Sequence, residues 1–290
     1  MDGSAAIICR IPLLPAGALF YQVVESMHDP WHWHLDAKHP FLTASLLQRW
    51  PHGFFTCQSW PATPNDLTAL MQSTATVHRA KQVHSNHVIT STASASLLPG
   101  EALPEADAVM TIAPQQAAWI CTADCTPVLV GDVKTGQVAA IHAGWRGTAQ
   151  RILPTVIQKM QAQGSELTHL RFAIGPAIAG EVYQVTIPVA ATVGRSLTAL
   201  FPNPQSWKDE AVVDRLLAMT PAPLLPDATP GRIRLDVRQI NALQIAELGV
   251  SADQVAIAPH CTFQEPERFF SYRRTREKKV QWSGIVSVDS

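Results

Sequence analysis

From His52 onward, short apolar runs alternate with segments whose apolar residues recur every three or four positions, the pattern of strands interleaved with helices. Ala117 to Cys121 and Val128 to Val130 read as buried extended segments around a polar turn. Gln137 to His142, rich in small and branched residues, reads as a further strand. Residues 151–163 predict a helix stopped at Gly164, with Ile152, Val156, Ile157 and Met160 on one face. Pro154 suits only the first turn, so the regular part is expected to begin near it. A second helix is predicted from Val237 to Leu248, ended by Gly249 and followed by a strand from Gln254 to Ala258. Residues 202–231 carry Pro202, Pro204, Pro221, Pro223, Pro226 and Pro230 and read as an irregular excursion. No segment marks a clean linker and no repeat is visible, so a single mixed α/β domain is expected.

Composition narrows the classes. At 290 residues and 47% apolar content the chain can bury a full core. A formal charge of −1 argues against a dedicated nucleic-acid binder, though a small charged ligand needs only local charge. No apolar run approaches the ~18 residues of a membrane span. The stretch Ile11 to Val24 imitates a signal segment, but Asp2 precedes it, Arg10 is its one basic flank, and Pro12 and Pro15 interrupt it. Five cysteines do not make a disulfide scaffold. A reducing cytoplasm is therefore expected, where a thiolate stays available as a ligand.

The chemistry gathers in Lys81-Gln82-Val83-His84, Thr122-Ala123-Asp124-Cys125-Thr126-Pro127 and His142-Ala143-Gly144-Trp145-Arg146-Gly147. Each offers one candidate ligand (His84, Cys125, His142) where an apolar run gives way to a loop. Two imidazoles and a thiolate are the three protein ligands expected of a catalytic zinc that keeps a fourth position open. They lie too far apart for a compact finger, so only the fold can unite them. Taken alone, Cys125 also fits a buried structural cysteine, and His142 a satisfied core histidine. Cys121 is too far along an extended segment to pair with Cys125, ~13 Å at ~3.3 Å per residue, and is assigned to the core. The glycine turn after His142 leads toward the 151–163 helix, an arrangement that presents free N–H groups to an anion. Arg146 there is a candidate phosphate fork or a surface arginine paired with a carboxylate. Asp124 is a candidate proton carrier, a partner of a ligand, or a turn aspartate. His32, His34 and His39 form a second histidine group, better suited to a surface or interface. Arg268, Arg273, Arg274 and Arg276, interleaved with Phe269, Phe270 and Tyr272, either stack a base and steady a phosphate or form a solvated face.

In order and spacing, the three stretches resemble the YfiH-type laccase-domain family, purine nucleoside phosphorylases formerly labelled multicopper polyphenol oxidases. Further matches are His52-Gly53-Phe54-Phe55-Thr56, Ala106-Asp107-Ala108, Ala173-Ile174-Gly175-Pro176-Ala177-Ile178, Leu235-Asp236-Val237 and Pro266-Glu267-Arg268-Phe269-Phe270-Ser271-Tyr272-Arg273-Arg274. The resemblance implies two mixed sheets flanked by helices, a four-layer α/β/β/α sandwich. It implies a catalytic domain over residues 49–290, with residues 1–48, which match poorly, as an extension of uncertain role. It also implies zinc at His84, Cys125 and His142, the first chosen over His87, with copper as the alternative metal. The implied activity is phosphorolysis of adenosine and inosine, with methylthioadenosine a further candidate and adenosine deamination beside it. Catalytic roles then fall to Asp124, Cys125 and Arg146. Purine nucleosides and inorganic phosphate are the implied partners.

The chain departs from the family after Thr56. Cys57-Gln58-Ser59-Trp60 replaces an arginine and glycine-rich turn, and the Ser-Leu-Asn-Leu stretch that usually follows is missing. Family cysteines are replaced by Glu181, Val182 and Gln264. These changes touch the nucleoside pocket and leave the ligand trio intact. Two rivals are a copper polyphenol oxidase and a non-catalytic metal-binding protein. The oxidase needs many histidines in paired motifs, and no His-x-His lies near a cysteine site here.

Overall fold

The computed structural model describes residues 30–91 and 102–290. The apolar stretch Ile11 to Val24 lies outside the described residues. Among the described residues the chain forms two six-stranded sheets and a smaller three-stranded one. In the first, the spatial order is Trp31–His34, Phe41–Ala44, His52–Phe55, Gln281–Val286, Gln116–Thr122 and Thr76–Arg79. In the second it is Val255–Ile257, Leu170–Ile174, Thr126–Asp132, Val138–Ala143, Ala108–Met110 and Val88–Thr90. Parallel pairing occurs at the Thr76–Arg79 edge of the first sheet and at both edges of the second, so both are mixed. Residues 31–44, set apart in the sequence as part of an extension, supply the hairpin at the other edge of the first sheet.

Two-residue alternation explains the layering. Val128, Val130, Ala139, Ile141, Phe172 and Ile174 face helices Ile152–Ala162 and Val237–Glu247. Their sequence neighbours Leu129, Val138, Ala140 and Ala173 face the first sheet, where they meet Leu42, Phe54, Ala118, Ile120 and Ile285. The outer face of the first sheet, with Phe55, Trp119 and Val286, is covered by helix Pro64–Met71 through Leu67. The order is helix, sheet, sheet, helix. The central strands of the second sheet, Thr126–Asp132 and Val138–Ala143, are buried on both faces, which is why they read as largely apolar runs.

Both predicted helices form close to their expected bounds. Ile152, Val156, Ile157 and Met160 point into the core, and Gly164 adopts φ +98° just past the helix end. Asp236 caps the second helix by accepting from the backbone of Arg238 and Gln239. The proline-rich segment 202–231 is more ordered than its composition implies. It holds helix Asp209–Leu217 and strand Leu224–Pro226, which join helix Ile187–Gly194 around Leu197, Phe201, Val212 and Leu216. Prolines here sit at element ends, where no ladder or helical N–H is needed.

Gln116–Thr122 and Thr126–Asp132 are not partners in a hairpin. The first lies in one sheet and the second in the other, so Ala123–Cys125 is where the chain crosses between layers. Close approach of the sheets is visible at Gly175, where an added Cβ would lie 2.2 Å from ring atoms of Phe54. Phe54 is itself 1% exposed and has no space to swing into. Gly175→Ala should therefore cost about 1–3 kcal/mol. Denaturant titration measures it, and an unchanged midpoint would mean the sheets are not packed this tightly.

Candidate metal centre and adjoining cleft

Strand register brings the ligands together. Thr126 pairs with Ala143 and Pro127 with His142, so one residue further along Cys125 meets Gly144. A Cβ on Gly144 would lie 2.8 Å from the Cys125 sulfur and 3.4 Å from the His84 ring, so a side chain there would crowd out the centre. On the other side, Ala108 pairs with Ile141, which sets Asp107 beside His142. The His84, Cys125 and His142 ligand atoms all lie within 4.8 Å of one another, with Cys125 Sγ 3.9 Å from His84 Nε2. No other group of this kind forms among the described residues.

His84 arrives on the loop 81–87 rather than on a strand, and its φ is +59°. Such a backbone costs a non-glycine residue of order 1–3 kcal/mol and persists only if its surroundings impose it. The imposing group is Asp107, which is fully buried. Its carboxylate accepts from the backbone N–H groups of Val83 (3.2 Å), His84 (2.9 Å) and Ser85 (2.6 Å) and from the Ser85 hydroxyl (2.8 Å). The same carboxylate lies 2.8 Å from His142 Nδ1. An ionised carboxylate only accepts, so His142 Nδ1 carries the proton and Nε2 is left for a metal. Gln82 ties the loop to the first sheet, exchanging bonds of 2.8 Å with the Cys121 carbonyl and N–H. Sequence reasoning placed Asp107 in a motif and missed this role; the signal was a charge between two alanines ahead of an apolar strand. His87 takes no part as a ligand, and its carbonyl accepts from Asp107 N–H instead.

Burial pushes the Asp107 carboxyl up, but the bonds from His142 and Ser85 outweigh it and hold it below the usual carboxylate range. Burial likewise pushes the Cys125 thiol up; the His142 charge and bonds from both histidines reverse this and bring it to about 6. Burial lowers His142, yet the Cys125 sulfur and Asp107 raise it to about 9. Each partner therefore favours the charged form of the other. Cys121, half-buried and not among the ligands, is pushed up to about 11, chiefly by burial. Soft sulfur, two imidazoles, a fixed tautomer and the space kept by Gly144 all fit a zinc-like ion.

A cleft beside the sulfur is lined by Asp124, Thr126, Trp145, Ile178, Tyr183 and Val237, among others. Asp124, at φ +89°, accepts from the Thr262 hydroxyl (2.8 Å) and from Arg273 N–H (2.7 Å), and its carbonyl accepts from Ile178. It thereby clamps three segments around the cleft. Arg146 is exposed, with its guanidinium 4.5 Å above the Trp145 ring. The expected run from the glycine turn into one long helix is broken. A five-residue helix, Trp145–Ala149, comes first, and Arg151 at φ +62° separates it from Ile152–Ala162, so the longer helix does not begin at the cleft.

The C-terminal arginines part company. Arg274 donates to the carbonyls of Thr262, Phe263 and Phe269, and Arg268 pairs with Glu265 beneath Trp33. Phe269 is core, not a stacking platform. Within this run, Arg273 lies over the ring of Tyr183, which lines the cleft. His32 and His34 bond Ser45 and Thr43 and join no ligand group among the described residues.

Fold and site together define a mixed α/β protein with a His–Cys–His centre at one end of its second sheet. Residues 64–287 match the family described as multi-copper polyphenol oxidoreductase laccase, and the chain belongs to it. A purine nucleoside phosphorylase of Synechocystis sp. is 50% identical over 264 residues, 89% of this chain and 98% of that protein. An adenosine deaminase from an unknown prokaryotic organism is 31% identical over 173 residues, 60% of this chain and 58% of that one. The hypothetical protein YfiH of Bacillus licheniformis shares the fold, with a TM-score of 0.70 at 22% identity, over 89% of this chain and 99% of its own.

The Asp107 network makes a direct prediction. Asp107→Asn keeps the volume but sets an amide N–H against donors that need an acceptor. Metal affinity, read by competition with a chelating dye, should fall about 10- to 100-fold. Unchanged affinity would show that His142 and the 83–85 loop hold their places without the carboxylate.

Proposed function

We propose that the chain is a zinc-dependent purine nucleoside phosphorylase that acts on adenosine and inosine and also deaminates adenosine. The observation that carries this reading is the cluster of His84, Cys125 and His142, whose cysteine lines a cleft next to Trp145, the ring that carries Arg146, an arginine with no carboxylate partner among the described residues. The relatives named for both activities support it.

His84, Cys125 and His142 would hold the zinc, which when bound supplies Lewis acidity and a way to activate water. Asp107 keeps His142 in the tautomer that presents Nε2. Trp145, Ile178, Tyr183 and Val237 give the cleft a largely apolar wall, against which a purine and its sugar are oriented and water is excluded. Arg146 offers a fixed fork to phosphate. In phosphorolysis a phosphate oxygen bonds to the ribose anomeric carbon as the bond to the purine nitrogen breaks. The electron pair leaves with the base, which takes up the proton of hydrogenphosphate. In deamination, water replaces the C6 amino group, which departs as ammonia. Asp124, with both oxygens engaged, serves here as a positioning residue. A reducing cytoplasm keeps Cys125 available as a thiolate.

The family description points to the rival, copper-dependent oxidation of phenols. A single three-ligand group among the described residues favours one metal over a multicopper assembly. Product analysis decides. Inosine should yield hypoxanthine and ribose 1-phosphate only when inorganic phosphate is present. Arg146→Ala should lose about 1.5–3 kcal/mol in phosphate use, the worth of a charged hydrogen bond. Equal base release without phosphate would make the protein a hydrolase, and oxygen uptake with a phenol would make it an oxidase.

A further inference from the structure

The cleft holds more cationic equipment than one arginine. Trp145 and Tyr183 both line it beside Cys125. Each carries a guanidinium on its ring: Arg146 at 4.5 Å from the Trp145 centroid and Arg273 at 4.9 Å from that of Tyr183. Arg273 is anchored twice, by its backbone N–H to Asp124 and by Nη1 to the Gln184 carbonyl at 2.9 Å. A guanidinium has five N–H donors, so that bond leaves most of the fork unspent. Neither arginine pairs with a carboxylate among the described residues. Both rings line the same cleft, so each guanidinium stands beside its wall.

A second observation points the same way. Thr126, next to Cys125 and lining the cleft, is 1% exposed, and its hydroxyl has no partner among the described residues. A buried hydroxyl left unpaired is costly, and a polar ligand removes that cost. A dianion with several acceptor oxygens answers both cations and the hydroxyl.

We propose that Arg273, held on Tyr183, forms with Arg146 and the Thr126 hydroxyl a two-guanidinium site for a phosphate dianion. This deepens the phosphorolysis reading and rests on it for the identity of the anion as inorganic phosphate. Arg146 is the exposed arm and Arg273 the anchored one.

The test is calorimetric titration of the metal-loaded protein with inorganic phosphate, and separately with adenosine 5′-monophosphate. Wild type, Arg273→Ala and Arg273→Lys are compared at verified metal content. Phosphate should bind wild type, and Arg273→Ala should weaken it about 10- to 150-fold, the effect of losing a charged hydrogen bond. Arg273→Lys should restore part of the loss, since it returns the charge without the planar fork. In turnover, KM for phosphate should rise in both variants far more than KM for inosine. If Arg273→Ala does not fold, as judged by circular dichroism, Arg273→Lys carries the comparison. Phosphate affinity unchanged in the variants overturns the site, as does binding of the monophosphate ester with none of inorganic phosphate. Phosphate binding that depends on Arg273 in a protein that releases no base upholds the site and sinks the phosphorylase reading instead.

Discussion

Asp107 is buried as an anion between two sheets, and the centre depends on how that charge is satisfied. An uncompensated buried carboxylate costs several kcal/mol or neutralises itself. Here the 83–85 loop supplies three backbone N–H groups and a hydroxyl, and His142 supplies Nδ1–H. The charge therefore works in two directions at once. It folds the loop into the left-handed turn that carries His84, and it fixes the face that His142 turns to the sulfur. Two of the three candidate ligands answer to one carboxylate.

The third ligand comes from topology. Strands 116–122 and 126–132 belong to different sheets, and Cys125 ends the crossing between them. A hairpin would have left the cysteine at an exposed tip. A crossing places it where the sheets part, against Gly144 and within reach of both histidines. The crossing is held by Asp124, whose carboxylate receives Thr262 and Arg273 from the C-terminal segment. That clamp also positions Tyr183 and its guanidinium against the cleft, so the metal centre and the anion end share one support.

Much of this was legible before any coordinates. The helix at 152–162 showed itself because its apolar stripe is regular and Gly164 stops it, and the three candidate ligands stood out because each sits where an apolar run ends. The sheet pairing was not legible, since strands such as Thr126–Asp132 are buried throughout and carry no sign of which sheet they join. Asp107 was visible as a residue but not as a hub, because the partners of its carboxylate lie 22 or more positions away and meet it only in the fold. The proline-rich segment misled in the other direction. Composition reports the turns at Pro202, Pro204 and Pro221 but not the apolar contacts of Val212 and Leu216 that order the helix between them. Arg273 could not be told from Arg274 by spacing; the backbone bond to Asp124 turns one to the cleft, while three carbonyls bind the other.

X-ray absorption at the zinc edge on the protein as purified addresses the central claim most directly, that one buried carboxylate and one sheet crossing assemble a nitrogen–nitrogen–sulfur site. The account predicts one sulfur at about 2.3 Å and two imidazole nitrogens at about 2.0–2.1 Å, with the sulfur contribution lost in Cys125→Ser. A shell of oxygen and nitrogen without sulfur, or a sulfur signal that survives Cys125→Ser, would contradict it.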